Sequence, residues 1–441
     1  MPRLPLLVAV AATLFACSGN DPEAAPAGHK MARSDLARDT APSLTDAEKK
    51  AVADGGYALT SDLLGQLKGS STENLAFSPF SVGVALSMAY VGAKGTTADE
   101  MAKAMHWTLP KARVSKAFDW TTLELAKRAD QALEQAKANA KVAGVTVDPS
   151  AYRLHVVNAI WADERMKFVP AFLDVMATDY GTGVTLANFS GAPDAERIAI
   201  NDWVSDETQA KIRDLLPTGS IGTDTVSVLV NAIHLKLPWL DPLTPEASAT
   251  AFTRADGSKV NVTYVGGEPS VGWFEDDSVQ AVRIPLEGRS ESMVVAVPKK
   301  DLKTFEAGLD GATLAKIVTG ATTSTVKLAL PKFRFETASL SLATALKALG
   351  MKAAFVAGQA DFSGMGSAGN PLYIGDVFHK AMVGLDEKGV EAAAATAVVI
   401  RNVSVPVIAH ELRADRPFFF AIVDEPTNTV LFAGHVADPT K

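Results

Sequence analysis

Apolar residues recur at helical spacing after Thr45. Ala47, Ala51, Tyr57, Leu59, Leu63, Leu64 and Leu67 predict a helix from about Asp46 to Lys68. Thr45 and Lys49 do not complete a capping box, so its start is approximate. Ser78 ahead of Pro79 is an N-cap followed by a proline suited to the first turn. The run that follows is small or apolar on every face, which predicts a buried helix ended by Gly92 and Gly95. A short helix starts at Gly95, and residues 111 to 150, rich in Ala, Lys and Glu, read as one further helix with a solvated face. Ser292 to Val297 and Val326 to Phe335 alternate or are continuously apolar and read as strands. Beyond Gly389 the period is two: Val390, Ala392, Ala394, Thr396, Val398 and Ile400 share one face, and Glu391, Ala393, Ala395, Ala397, Val399 and Arg401 the other. Four consecutive alanines favour helix. Gly389 and the β-branched residues after the alanines favour a loop that can enter a sheet.

That last segment carries the most specific signal. Glu387, Gly389, Val390, Glu391, Ala392, Ala393, Ala394, Ala395 and Thr396 resemble the reactive-loop hinge of inhibitory serpins, although Val390 stands where those relatives more often have Thr or Ser. Other strings resemble serpin segments in the correct order: Glu73 to Met101, Val157 to Trp161, Ile200 to Ile212, Leu229 to Trp239, Ala414 to Phe420 and Leu431 to Val436. Leu237-Pro238 departs from the family, which usually has a glycine there. The resemblance implies an α+β serpin fold, about eight to nine helices around three β-sheets with an exposed reactive-centre loop. It covers residues 45–441 as one domain.

Composition narrows the setting. With 47% hydrophobic and 21% charged residues the chain has material for a large core, and a net charge of −8 argues against nucleic acid as a partner. Met1-Pro2-Arg3 followed by Leu4 to Phe15 predicts a secretory signal over residues 1–16. Leu14-Phe15-Ala16-Cys17 resembles a bacterial lipobox, which implies lipidation of Cys17, the single cysteine; an ordinary signal with an incidental cysteine is the alternative. Residues 17–44, without apolar periodicity, are expected to be a flexible linker. The protein is expected to be exported, anchored in the bacterial cell envelope with the outer membrane or surface favoured by Ser18, or secreted.

Catalytic and metal chemistry find no constellation in the sequence. The seven histidines show no ligand spacing, there is no Gly-x-Ser-x-Gly, and Ser324 and Lys327 fall on opposite faces of a strand-like run. No cofactor and no enzyme activity are expected. The resemblance instead assigns Ser78, Ser81, Asn158 and His379 to the region where the central sheet opens, and Trp203 to the point where insertion begins. It also implies serine proteases as partners, joined as a covalent acyl-enzyme, with a monomeric inhibitor. Counted along the family's hinge spacing, the resemblance implies a reactive bond at Val403-Ser404, which suits elastase-like or subtilisin-like enzymes; Arg401-Asn402, suiting trypsin-like enzymes, is the alternative. A non-inhibitory serpin acting as a binding protein is the competing function.

Overall fold

The computed structural model describes residues 25–67, 72–143, 146–369, 372–390 and 408–441. The elements that position the site are, in chain order, β1 (Lys30–Ala32), α1 (Asp46–Leu67), α2 (Pro79–Gly92), α3 (Lys111–Ala126), α4 (Arg128–Ala143), β2 (Arg153–Asp163), α5 (Pro170–Tyr180), β3 (Val184–Ala187), α6 (Pro193–Glu207), β4 (Ser227–Pro238), β5 (Phe333–Glu336), β6 (Phe378–His379), β7 (Met382–Leu385) and β8 (Gly389–Val390). The expected α+β class holds. A seven-stranded sheet runs β1-β3-β2-β4-β8-β7-β5. A ten-stranded array continues through Thr322–Pro331, whose first half pairs with Ser270–Glu275 and whose second half pairs with Tyr264–Gly267.

Both faces of the seven-stranded sheet are covered, and the side-chain alternation divides accordingly. Leu229, Ile233, Leu235 and Leu237 of β4 join the main core with α2. Val228, Val230 and Ala232 join Ile200 and Val204 of α6 in a second cluster. In α2 every residue but Val91 is buried, as an all-round apolar sequence demands. The Ser78 hydroxyl caps it by accepting from the backbone N–H of Ser81 at 3.1 Å.

Four local expectations change. The start of α1 does have a capping box, closed by Glu48 rather than sought at Lys49: Glu48 N–H donates to Thr45 Oγ1 at 3.3 Å and Thr45 N–H to Glu48 Oε2 at 2.8 Å. The helix expected over 111–150 is two helices, α3 and α4, broken at Lys127. Arg128 opens the second by donating to the buried Asp424 at 2.7 Å. The run Val326 to Phe335 serves two sheets, leaving the larger one at Pro331 and entering the smaller as β5. The linker expected over 17–44 is docked from residue 29 on: β1 pairs antiparallel with β3, Lys30 to Leu186, Met31 to Thr185 and Ala32 to Val184. Specific ion pairs hold that segment where periodicity is absent. Cys17 and residues 1–24 lie outside the described residues.

Candidate functional site

Two clusters sit on β4, one halfway along the strand and one at its end. The first is a clamp. His379, fully buried on β6, accepts from Ser78 N–H through Nε2 at 2.9 Å. Its proton therefore sits on Nδ1, which lies 3.1 Å from Asn231 Oδ1. Asn231 Nδ2 donates to Asn158 Oδ1 on β2 at 2.9 Å and to the carbonyl of Ser81. Burial holds the imidazole at a pKa of about 4, below its ordinary 6.5, so the ring is neutral at pH 7. Four hydrogen bonds thus tie β2, β4 and β6 to the first turn of α2. The Ser81 hydroxyl is buried there without a partner.

Ser78, Ser81, Asn158 and His379 are brought together as their resemblance implied, yet the residue that links them, Asn231, is not among those predicted. Period two makes it visible: it is the one polar side chain among Leu229, Ile233, Leu235 and Leu237 on that face.

The second cluster is the hinge at the top of the sheet. Asp386 Oδ1 accepts from the N–H groups of Lys388 at 2.7 Å and Gly389 at 3.2 Å, closing a tight turn. Trp239, directly after β4, donates from Nε1 to the Asp386 carbonyl at 2.8 Å and from its backbone to the Lys388 carbonyl at 2.9 Å. Glu387 pairs with Lys332 at 2.5 Å, a contact that holds its carboxyl below the usual range. Gly389 and Val390 then form β8 between β4 and β7, with Val390 opposite Leu237 on one side and Leu385 on the other. A Cβ at Gly389 would meet the Leu237 carbonyl oxygen at 2.3 Å, so this close approach requires glycine. Val390 is 2% exposed.

Trp203 is corrected. It lies on α6, edge-on to Trp161 of β2 with ring centroids 6.0 Å apart, packed against the second cluster. Trp239 is the tryptophan at the hinge, because the end of β4 rather than the middle of a helix faces the turn.

Below Val390, and among the described residues, β4 pairs only with β2 and β8, and β7 only with β8 and β5. The edge of β4 from Ser227 to Lys236 is therefore without a partner strand on the side of β7. The far anchor is equally firm. His410–Arg413 runs parallel to Thr322–Pro331, His410 stacks on Trp273 at 4.4 Å, and Arg413 grips Glu246 through two donors. Glu391, Ala392, Ala393, Ala394, Ala395, Thr396, Arg401, Asn402, Val403 and Ser404 lie between the two anchors and outside the described residues. Among the described residues no group of three or more His, Cys, Asp or Glu could hold a metal ion.

The family model described as serpin (serine protease inhibitor) matches residues 55–439. An uncharacterised serpin-like protein of Thermococcus kodakarensis is 32% identical over 400 residues, 90% of this chain and 88% of its own length. Serpin B4 of Homo sapiens is 32% identical over 86% of this chain and 97% of its own, and the leukocyte elastase inhibitor of Xenopus laevis 30% over 84% and 94%. Among solved structures, the thermophilic serpin tengpin in its native state superposes with a TM-score of 0.78 at 25% identity, covering 93% of this chain and 99% of that one. A hinge entering an open sheet edge, a buried clamp beneath it, and matches over nearly the whole length agree: the protein belongs to the serpin family.

Proposed function

We propose that the protein is an inhibitory serpin, a suicide substrate of serine endopeptidases whose reactive bond is Val403-Ser404. The observation that carries this reading is β8, a strand already started between β4 and β7. Continuing its two ladders residue by residue would set Thr396 opposite Asn231 on β4 and His379 on β6, and Ile400 opposite Ser227. Ala392, Ala394, Thr396, Val398 and Ile400 share the parity of Val390 and would face the core. None is charged and none is proline, so nothing there stalls insertion. Thr396 would bring a hydroxyl to the Asn231–His379 bond, replacing a hydrogen bond it displaces.

The protease serine attacks the Val403 carbonyl carbon, the Ser404 amine leaves, and the enzyme is held as an acyl ester. The freed strand, ~46 Å long at ~3.3 Å per residue, then inserts and carries the enzyme with it, the strand-addition mode for which serpins are known. Burying Val398 and Ile400 contributes about 1.5–3 kcal/mol each. Roughly ten further ladder bonds contribute about 0.5–1.5 kcal/mol each. The total, on the order of 10 kcal/mol, matches the ~5–15 kcal/mol stability of a protease domain.

Incubation with elastase and with subtilisin tests this. The expected product is a covalent complex that survives a denaturing gel, with mass spectrometry placing the cut after Val403. A complex with trypsin and a cut after Arg401 would keep the mechanism and change the target class. Clean cleavage, with neither a complex nor a gain in thermal stability, would favour the non-inhibitory binding protein. The same reading places the protein on the cell envelope through Cys17. Labelled palmitate is expected in the wild type and absent from Cys17→Ser, and equal labelling of both would remove the anchor from the proposal.

A further inference from the structure

Residues 29–43 cross the outer edge of the seven-stranded sheet as a strap. On the α6 side, His29 Nε2 lies 2.8 Å from Glu196 Oε2, and its ring stands edge-on to Trp161 at 4.8 Å. The strap then pairs with β3 as β1. Past the edge, Ser34 Oγ donates to Asp174 on α5 at 2.6 Å, Asp39 N–H donates to the Thr178 carbonyl at 2.8 Å, and Arg38 Nε donates to Asp119 on α3 at 3.0 Å. Lys116 bridges Asp39 and Asp179, at 3.1 and 2.8 Å. The turn between α5 and β3 is shaped for this passage. A Cβ at Gly183 would lie 2.6–2.8 Å from Ala32 O, Met31 Cγ and Arg33 Cβ, and one at Gly181 would lie 2.6 Å from Arg38 Cδ.

The two sides of this contact depend on each other. Without β1, β3 is an edge strand with a free row of backbone donors and acceptors, the usual template for pairing with another chain. Without Arg38, the side chain of Asp119 is enclosed with no partner from the strap. Burial already pushes that carboxyl up to about 7 with Arg38 in place. The groove, kept open by the two glycines, thus takes an extended segment with a cation six residues beyond the strand, the spacing from Ala32 to Arg38. The family model itself starts at residue 55, after the strap.

We infer that this edge is a peptide-binding, strand-addition site filled in cis by residues 29–43 and, when the strap is displaced, open to the same segment of a second copy of the chain. The docked strap keeps the edge closed and the protein monomeric.

Two full-length variants displace the strap in opposite ways. Arg38→Glu weakens the strap and leaves the groove open. Gly183→Val fills the groove and leaves the strap intact, without requiring a left-handed backbone. Trypsin is expected to cut at Lys30 and Arg33 about 100-fold faster in both than in the wild type. A labelled peptide of residues 27–43 is expected to bind Arg38→Glu but neither the wild type nor Gly183→Val. An equimolar mixture of the two variants is expected to sediment as a dimer while each alone is monomeric, because one supplies a free strap and the other a free groove. Should Gly183→Val fail to fold, Gly183→Ala puts its single Cβ against the same three atoms. Strap cleavage at the wild-type rate in both variants, peptide binding that does not distinguish Arg38→Glu from Gly183→Val, or a mixture that stays monomeric overturns the inference.

Discussion

His379 and Glu291 are both buried titratable groups, and their pKa values move in opposite directions for one reason: burial favours the neutral form. For His379 the folded value, about 4, lies below the ordinary 6.5. The stability it contributes is present above pH 6.5 and is lost as pH falls toward 4, on the order of 3 kcal/mol in all. Melting temperatures of the wild type and His379→Gln are expected to converge across that window; parallel curves would mean the ring does not titrate where the clamp needs it neutral. Glu291, opposite Asp424 in the ladder and with both carboxylate oxygens unpartnered, is raised to about 8, by burial first and the Asp424 charge second. A raised carboxyl contributes stability below its unfolded value of 4.5 and loses it as pH rises through 8. Glu291→Gln, which keeps the shape without the charge, is expected to gain on the order of a few kcal/mol over the wild type by pH 9. Denaturant midpoints at pH 5 and pH 9 measure the difference, and an equal gap at both would refute it.

At the scale of elements, the hinge turn and β8 decide what an inserted strand must look like. Side chains of the parity of Val390 enter a face lined by Leu237 and Leu385, where a guanidinium would be buried without a counter-ion. Thr396→Arg is therefore expected to leave cleavage at the reactive bond unchanged and to cut the yield of covalent complex by about 100-fold, the cost of an unpaired buried charge. Glu391→Arg, of opposite parity and across from the half-buried Lys236, is expected to inhibit normally. A gel comparing complex with cleaved product reads both, and equal behaviour of the two variants would disprove the register. This register is partly legible in the sequence, because strict alternation beyond Gly389 separates the two sets of residues. The clamp is less so: Asn231 lies inside the family-like string Leu229 to Trp239, but only the path of β4 shows that its side chain links the other members. Trp203 and Trp239 each lie in a recognisable string, and only the path of β4 to the turn at Asp386 shows which of them meets the hinge. The strap is illegible for a further reason. Three residues of strand have no measurable period, and its stability comes from pairs such as Arg38 with Asp119 that lie far apart in the chain.

Among the described residues, no strand lies between β4 and β7 beyond Val390, and the described residues on both sides of 391–407 are tied down. Val390 is fixed between β4 and β7, and the return strand is fixed by the His410–Trp273 stack, by Lys327 with Glu411 and by Arg413 with Glu246. A segment tied at both ends cannot slide fully into the sheet without breaking the second set. Cutting between them removes that constraint at no cost to either anchor. Under the proposed insertion the clamp supplies the remaining resistance, because an entering strand would part Asn231 from His379. The chain has a single cysteine and so no internal disulfide, which means nothing covalent limits the rearrangement. If the cut chain inserts, the open edges of β4 and β7 acquire a partner. A gain on the order of 10 kcal/mol then corresponds to a rise in melting temperature of about 10 °C. Cleavage by a protease that does not become trapped, followed by calorimetry of the wild type and Thr396→Arg, measures it. The wild type is expected to show the rise and the variant to melt near the uncut temperature. An unchanged wild-type melting temperature after a complete cut would mean that the place in the sheet is not the destination of the loop, and the energy available to disable a protease would be missing.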